Sequence, residues 1–186
     1  MAKQVKGTLF VDYVRMVKSR KDVDWSKYLN EQDMKILDEL GRVLPSSWYP
    51  FDTFERMGIG AFHEIGGGDL EAIRRWGQVS TDQLVKVYKG LVQPGDPIGS
   101  AEKFNVFRAG FFSFPGVELE LFPDDNKIKL YVFFSQNEQA AEAQAFQAFG
   151  AIERLIDLAG ARDIKHTFVA RIWDGAPKTI LEITWN

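Results

Sequence analysis

The feature that most constrains this chain is a change in the spacing of its apolar residues near Val117. Before that point, apolar residues recur every three or four positions, which is typical of amphipathic helices. From Val117 onward they alternate with polar residues, so that Glu118 and Glu120 separate Val117, Leu119 and Leu121. Because successive side chains of a strand point to opposite faces, this alternation predicts a strand with one buried face. The chain therefore joins a helical region to a sheet.

A second alternating segment predicts a hairpin. Residues 123–126 (PDDN) have the composition of a turn, and residues 128–134 alternate again. This turn would place Glu120 opposite Lys129 on the outer face of the hairpin, where opposite charges stabilise a strand pair. The hairpin is thus expected to bury one face and to expose the other.

The rest of the chain predicts a helix and a second hairpin. Apolar residues at helical spacing run from about Glu138 to Ala159, and Gly160 is a natural helix end. The first half of this helix is rich in alanine, so a neighbouring element can approach it closely. Strands are expected at residues 164–172 and 181–185, joined by a turn at 174–177.

The fold class expected from these patterns is α+β in one domain, residues 1–186. Residues 1–112 are expected to be mainly helical, and residues 113–186 to form a β-β-α-β-β antiparallel four-stranded sheet packed on the long helix. Asp52 is expected to cap a helix that ends at Ile65, and Gly41 to end an earlier helix. The helices expected in the N-terminal half cover residues 26–29, 31–40, 52–65, 70–76, 80–91 and 100–110.

Composition excludes several classes of function. The chain has no cysteine, which removes disulfides, thiolate nucleophiles and thiolate metal sites. The formal net charge of −3 gives no general attraction to nucleic acid. No segment has the length and apolarity of a membrane span or of a signal peptide. We therefore expect a cytoplasmic protein that binds neither nucleic acid nor membrane.

The two histidines are the first candidates for chemistry. His63 falls at the edge of a predicted helix, where a surface position is the simplest interpretation. His166 falls on the apolar side of a predicted strand with Ile164 and Phe168. A polar ring there needs a hydrogen-bond partner if it is buried. It is therefore either a core histidine satisfied by a helix carbonyl or side chain, or a residue that contacts a ligand.

Motifs of known catalytic chemistry are missing from the sequence. It contains no Gly-x-Ser-x-Gly, phosphate loop or dinucleotide fingerprint, and the glycines at 66–68 follow a helix rather than a strand. Its neighbouring carboxylates lie on expected solvent faces or turns, whereas catalytic pairs must converge in a partly buried site. The sequence therefore predicts no catalytic residue, no metal site and no cofactor, and the protein is not expected to be an enzyme.

Aromatic residues are the remaining excess, with 15 Phe, 5 Tyr and 5 Trp. An interior rich in aromatic rings can line an apolar pocket or face a partner subunit. The expected ligand-binding residues, in a pocket between the helical half and the sheet, are His166, Phe168, Phe107, Phe111 and Phe149. The alternative is a protein-interaction module, for dimerisation or scaffolding, without a small-molecule ligand.

Short motifs along most of the chain carry a family resemblance. They are Val5–Phe10 (VKGTLF), Leu44–Pro45, Trp48–Pro50 (WYP) and Glu153–Asp163 (ERLIDLAGARD). With these motifs the chain resembles an uncharacterised bacterial domain family that is abundant as paralogues in myxobacteria and whose members have about this length. The layout is also similar to that of the haem–nitric-oxide-binding and vinyl-reductase-like sensory domains.

The resemblance implies a role in sensing rather than in catalysis. The broader relatives act as small-molecule sensors or regulatory input domains, often as dimers, so a homodimer and a small apolar ligand are expected here. The haem-binding members hold the propionates with a Tyr-x-Ser-x-Arg motif, which this sequence lacks. His63 and His166 do not match a proximal histidine either. Haem and metal binding are therefore not expected to carry over.

Overall fold

The computed structural model describes residues 2–39, 42–133 and 138–186. The expected helix end at Gly41 and the last residue of the expected strand 128–134 lie outside these ranges. Among the described residues, no helix is both long enough and apolar enough to cross a membrane.

The α-helices of the structure are α1 Gly7–Ser19, α2 Glu31–Glu39, α3 Phe51–Glu64, α4 Leu70–Val87, α5 Pro97–Arg108 and α6 Glu138–Leu158. Its strands are β1 Gln4–Lys6, β2 Trp48–Pro50, β3 Val117–Phe122, β4 Lys127–Val132, β5 Lys165–Ala170 and β6 Thr179–Thr184.

The α+β class and the β-β-α-β-β order of the second half are confirmed. The chain forms two compact units. The second unit contains the large sheet and two of the helices that precede it. Unit 1 comprises Met1–Asp69 with Gly110–Phe114, and unit 2 comprises Leu70–Ala109 with Pro115–Asn186. That residues 1–186 make one domain stays a prediction.

Unit 1 contains a small sheet that the sequence did not predict. Strand β1 pairs antiparallel with β2, and Val5 lies opposite Tyr49. A bridge between Val5 and Phe112 adds a further segment beside β1. The Phe10 and Tyr49 rings stack with their centres 4.7 Å apart. Strands of three residues are too short to show an alternating pattern, so only the assembled unit reveals them.

A buried carboxylate ties α2 to α3 within unit 1. Asp33 is 1% exposed and accepts hydrogen bonds from Arg56 Nε at 2.6 Å and Nη2 at 2.8 Å. It also accepts one from Thr53 Oγ1 at 2.6 Å and one from the Asn30 N–H at 3.0 Å. Burial by itself raises the pKa of Asp33, but the bonds from Arg56, Thr53 and Asn30 outweigh it and the net pKa is lowered. The carboxylate is therefore held in its charged form.

The start of α3 corrects the expected cap. Asp52 lies inside the first turn, and Pro50 occupies the capping position without a side-chain hydrogen bond. The helix begins at Phe51, whose N–H donates to the Lys3 carbonyl at 3.1 Å. Lys3, which precedes β1, therefore accepts a hydrogen bond from a helix N–H that a capping side chain would otherwise satisfy.

In unit 2, α4 is one continuous helix where the sequence predicted two, at 70–76 and 80–91. Gly77 lies between the two predicted helices, and glycine is unfavourable in a helix interior. Here Gly77 lies where α4 crosses α6. A Cβ atom on Gly77 would collide with the Gln147 carbonyl oxygen, and one on Gly150 would collide with the Arg74 carbonyl oxygen. The two glycines therefore allow the helix backbones to touch.

The large sheet has the strand order β3-β4-β6-β5, and every pair is antiparallel. The register confirms the expected hairpin, with Glu120 opposite Lys129. The inner face of β4 and β6 is fully buried, including Ile128 and Leu181 at 0% exposure. Helix α6 contributes buried apolar residues to the same core, as its helical spacing predicted.

The two edges of this sheet differ. At the β3 edge, the Asn105 side chain of α5 donates to the Leu119 carbonyl at 3.0 Å and accepts from the Leu119 N–H at 3.2 Å. Arg108 donates to the Val117 carbonyl beside it. At the other edge, β5 pairs only with β6 among the described strands, and its register shifts between Phe168 and Ala170. Side chains of α5 therefore bind the first part of one edge, at Val117 and Leu119, and β5 forms the other edge.

Candidate functional site

Three of the five expected ligand-binding residues lie together on the inner face of the sheet. His166 and Phe168 are on β5, opposite Ile183 and Leu181 of β6. The His166 ring centre lies 4.1 Å from that of Phe149 on α6 and 6.1 Å from that of Phe168. The alternation along β5 and the helical spacing of α6 predicted the faces on which these residues lie, and those faces meet in the structure.

His166 is nevertheless an exposed side chain, because β5 is an edge strand. One face of its ring is covered by Phe149, which is 1% exposed, and this partial burial lowers the pKa of His166. The nearby Glu153 and Glu71 raise that pKa, and Arg74 lowers it further. The neutral ring is therefore favoured, and the edge position leaves its other face open to a ligand or partner.

Two aromatic residues that sequence reasoning missed extend this cluster. The Phe146 ring lies 5.4 Å from Phe168, and the Trp173 ring lies 5.5 Å from Phe168. The Arg171 guanidinium stands 5.1 Å from the centre of the Phe168 ring. The position of Phe146 one helical turn before Phe149 could have indicated it. Trp173 could not have been found, since it lies in a short 3₁₀ helix after the strand.

The other two expected residues lie elsewhere. Phe107 belongs to α5 of unit 2, and its ring centre is 4.4 Å from that of Tyr88. Phe111 belongs to unit 1, where it is buried and its carbonyl accepts from the Lys6 N–H at 2.8 Å. The structure therefore brings His166, Phe168 and Phe149 together, and it places neither Phe107 nor Phe111 among the ring contacts of His166.

His63 has structural neighbours at the end of α3. Its ring stacks on Tyr28, with centres 5.9 Å apart, and lies 5.0 Å from Phe62. The Tyr28 hydroxyl donates to Glu64 at 2.7 Å, and this bond raises the pKa of Tyr28. Within the described residues, no group of three or more His, Asp or Glu side chains is placed to hold a metal ion.

A charged groove of about 480 Å³ lies between α4, α6 and the segment before β5. Two of its arginines, Arg154 and Arg162, are paired with its own carboxylates. Arg154 donates to Asp82 at 2.8 Å and to Asp157 at 2.6 Å, and Arg162 lies 3.6 Å from Asp157. Because these arginines are already paired with carboxylates, the groove is a weaker candidate binding site than the aromatic cluster.

Comparison with solved structures identifies the fold. No protein-family profile and no curated protein matches the sequence. The structure is similar to an H-NOX protein from S. oneidensis solved in the Fe(II)NO ligation state, with a TM-score of 0.61 and 15% identity over 97% of this chain and 99% of that one. The chain has the H-NOX fold.

A second H-NOX structure agrees with the first. The Fe(II) unliganded H-NOX protein from K. algicida gives a TM-score of 0.61 with 12% identity, over 97% of this chain and 96% of that one. The resemblance to haem–nitric-oxide-binding domains that the layout of the chain indicated is thereby confirmed at the level of the fold. Abundance of such paralogues in myxobacteria stays a prediction.

Proposed function

We propose that this protein is a non-catalytic sensory or regulatory domain that binds a small apolar ligand. The observation that carries the proposal is the similarity to H-NOX proteins along 97% of the chain. One of these neighbours was solved with iron and nitric oxide bound. A fold that holds a small ligand in one set of proteins can hold another after its lining residues change. The cysteine-free composition is compatible with the cytoplasm as the place where it acts.

The aromatic cluster on the inner face of the sheet is the proposed contact surface for the ligand. It combines the half-buried rings of Phe146, Phe168 and Trp173 with the open face of His166. Apolar walls with one polar group are typical of small-molecule sites, because the polar group fixes the orientation of the ligand.

The side chains present do not fit haem. Haem iron needs an axial ligand such as histidine, thiolate or tyrosinate. The chain has no cysteine, and its histidines are His63, stacked on Tyr28, and His166, on the sheet-edge strand β5. Tyr28 and Tyr131 donate to Glu64 and Glu120, which raises the pKa of each phenol and disfavours the anionic ligand form. We therefore propose a ligand other than haem.

Titration of the purified chain with haemin tests this exclusion. We expect no saturable one-to-one complex and no sharp Soret shift, because the His63 ring is stacked on Tyr28 and His166 lies on an exposed sheet edge. Replacing both histidines in H63A/H166A should leave the spectrum of the mixture unchanged. A stoichiometric Soret band that disappears in either single variant would contradict the exclusion.

A thermal-shift screen of apolar metabolites tests the ligand proposal. A binding compound should raise the melting temperature of the wild-type protein, since any ligand that prefers the folded state stabilises it. The shift should shrink in F168A, which removes a half-buried ring of the cluster. F122A is the matched control, because Phe122 is also half-buried but lies at the end of β3 beneath Lys127 and Lys129. Shifts that F122A and F168A reduce equally would argue against this site.

A second candidate function is a protein-interaction module that forms a homodimer. The observation that favours it is the exposed edge strand β5, where Val169 is 58% exposed. Such an edge presents unpaired backbone groups that another strand can bind. The two candidates are compatible, since sensory domains can act as dimers.

A further inference from the structure

We infer that the Gln144 carboxamide on α6 is the hydrogen-bonding group of a buried binding site for a small, largely apolar molecule that donates one hydrogen bond. This site is separate from the aromatic cluster, because Gln144 and Phe146 lie about 200° apart around the helix. The inference therefore goes beyond the proposed function and does not rest on it, so either can fail without the other.

The first observation is that Gln144 is buried with one polar atom unpaired. It is 7% exposed, and its Oε1 atom has no hydrogen-bond partner among the described residues. The other buried polar side chains that the structure describes all take part in hydrogen bonds: Asp33, Thr53, Thr81, Ser100 and Thr179. An unpaired buried oxygen destabilises the folded state, because it has lost its bonds to water. The exception at Gln144 points to a donor that the chain itself does not supply.

The second observation is that the carboxamide projects from a stripe of alanines. Ala140, Ala141 and Ala148 lie one helical turn from Gln144 on the same side of α6. Ala140 and Ala141 are 2% and 1% exposed, and α4, α5, β4 and β6 pack against this helix. Methyl groups offer no hydrogen bond and are too short to cover a glutamine side chain. Gln144 is thus the polar group of an apolar stretch, the combination that is typical of small-molecule sites.

These surroundings define the chemistry of the ligand. The unpaired atom is a carbonyl oxygen, which only accepts, so the ligand supplies an N–H or O–H group. The rest of the ligand meets methyl groups and is apolar. A charged molecule would lose its hydration there without gaining an opposite charge from Gln144 or from the alanines. Indole has the required chemistry, since it is an apolar ring system with one N–H donor. Benzothiophene has nearly the same shape and no donor.

The first test needs no ligand. Methionine has about the length of glutamine and no strongly polar atom, so Q144M removes the unpaired oxygen with little change in shape. We expect Q144M to raise the melting temperature of the free protein by about 2 °C or more. An unchanged or lower melting temperature would mean that the oxygen already has a donor, such as an ordered water, and would overturn the inference.

Q78M is the matched control for Q144M. The Gln78 side chain donates to Glu153 at 2.8 Å, so the same substitution there removes a hydrogen bond that is already formed. Its melting temperature should therefore fall below that of the wild type. Opposite shifts in the two variants would show that the gain in Q144M comes from the unpaired oxygen and not from methionine as a better helix residue.

Thermal-shift titrations with indole and with benzothiophene test the binding site itself. Indole should stabilise the wild-type protein more than benzothiophene does, because only indole can donate to Gln144. Q144M should raise the dissociation constant of indole by about tenfold or more, the effect of losing one hydrogen bond. Benzothiophene should bind Q144M at least as tightly as it binds the wild type.

F168A separates this site from the aromatic cluster. Phe168 lies on β5 with its ring against Phe146, so F168A should leave the affinity for indole unchanged. An affinity that F168A reduces and Q144M does not would overturn the Gln144 site and support the aromatic cluster. A wild-type protein that indole does not stabilise, or that it stabilises no more than benzothiophene, would overturn the assigned ligand chemistry and the site with it.

Discussion

G77A is expected to lower the free energy of unfolding by about 3 kcal/mol, the upper range for inserting a methyl group into a packed interior. In an exposed helix the same change would stabilise the protein, since alanine is a better helix former than glycine. Here the new Cβ would collide with the Gln147 carbonyl oxygen and lie 2.9 Å from the Ala151 nitrogen. Both are backbone atoms of α6, so no side chain can rotate away and the helices must separate.

G90A is the matched control for G77A. A Cβ atom at Gly90 meets nothing within 4 Å, and its backbone is not in the left-handed region. Its unfolding free energy should stay within about 0.5 kcal/mol of the wild type. Urea titrations followed by circular dichroism measure both variants. If G77A is as stable as G90A, α4 and α6 do not cross in the close contact described above.

G150A provides a further check on the same crossing. Its Cβ atom would collide with the Arg74 carbonyl oxygen from the opposite side of the contact. Because G77A and G150A push the same two helices apart, the double variant should lose less stability than the sum of the two losses. Strict additivity would mean that the two glycines act at independent places.

D33A is expected to destabilise unit 1 by about 3 kcal/mol, at the lower end for removing one partner of a buried ion pair. The change removes the acceptor for Arg56 and Thr53 at once. The loss is not larger because the Arg56 side chain is 34% exposed and can be rehydrated. Hydrogen exchange should therefore accelerate across α2 and α3, and the urea midpoint should fall.

A surface ion pair on α1 is the control for D33A. Asp12 lies 3.5 Å from Arg15, with side-chain exposures of 47% and 76%, so D12A should change the urea midpoint little. The double variant D33A/R56M should be more stable than additive losses predict, because neither charge is then left without its partner. Equal behaviour of D33A and D12A would show that the Asp33 network does not hold α2 on α3.

The sequence predicted the large sheet well because strand alternation is a local property. Glu120 and Lys129 were placed opposite each other from the turn between them, and the structure has this register. The same parity put His166 and Phe168 on the inner face of their strand. The spacing of α6 put Phe149 on its buried face. Those three members of the candidate site thus followed from periodicity alone.

What the sequence determined by itself is the kind and order of the main elements, since these depend on residues a few positions apart. Tertiary structure alone decided that Gly77 lies at a helix contact and does not end a helix. The backbone that a side chain at Gly77 would meet belongs to Gln147, 70 residues away. Tertiary structure also decided that His166 lies on an exposed edge strand and that Asp33 is buried. Exposure of a strand edge and burial of a carboxylate depend on distant segments, and no local pattern records them.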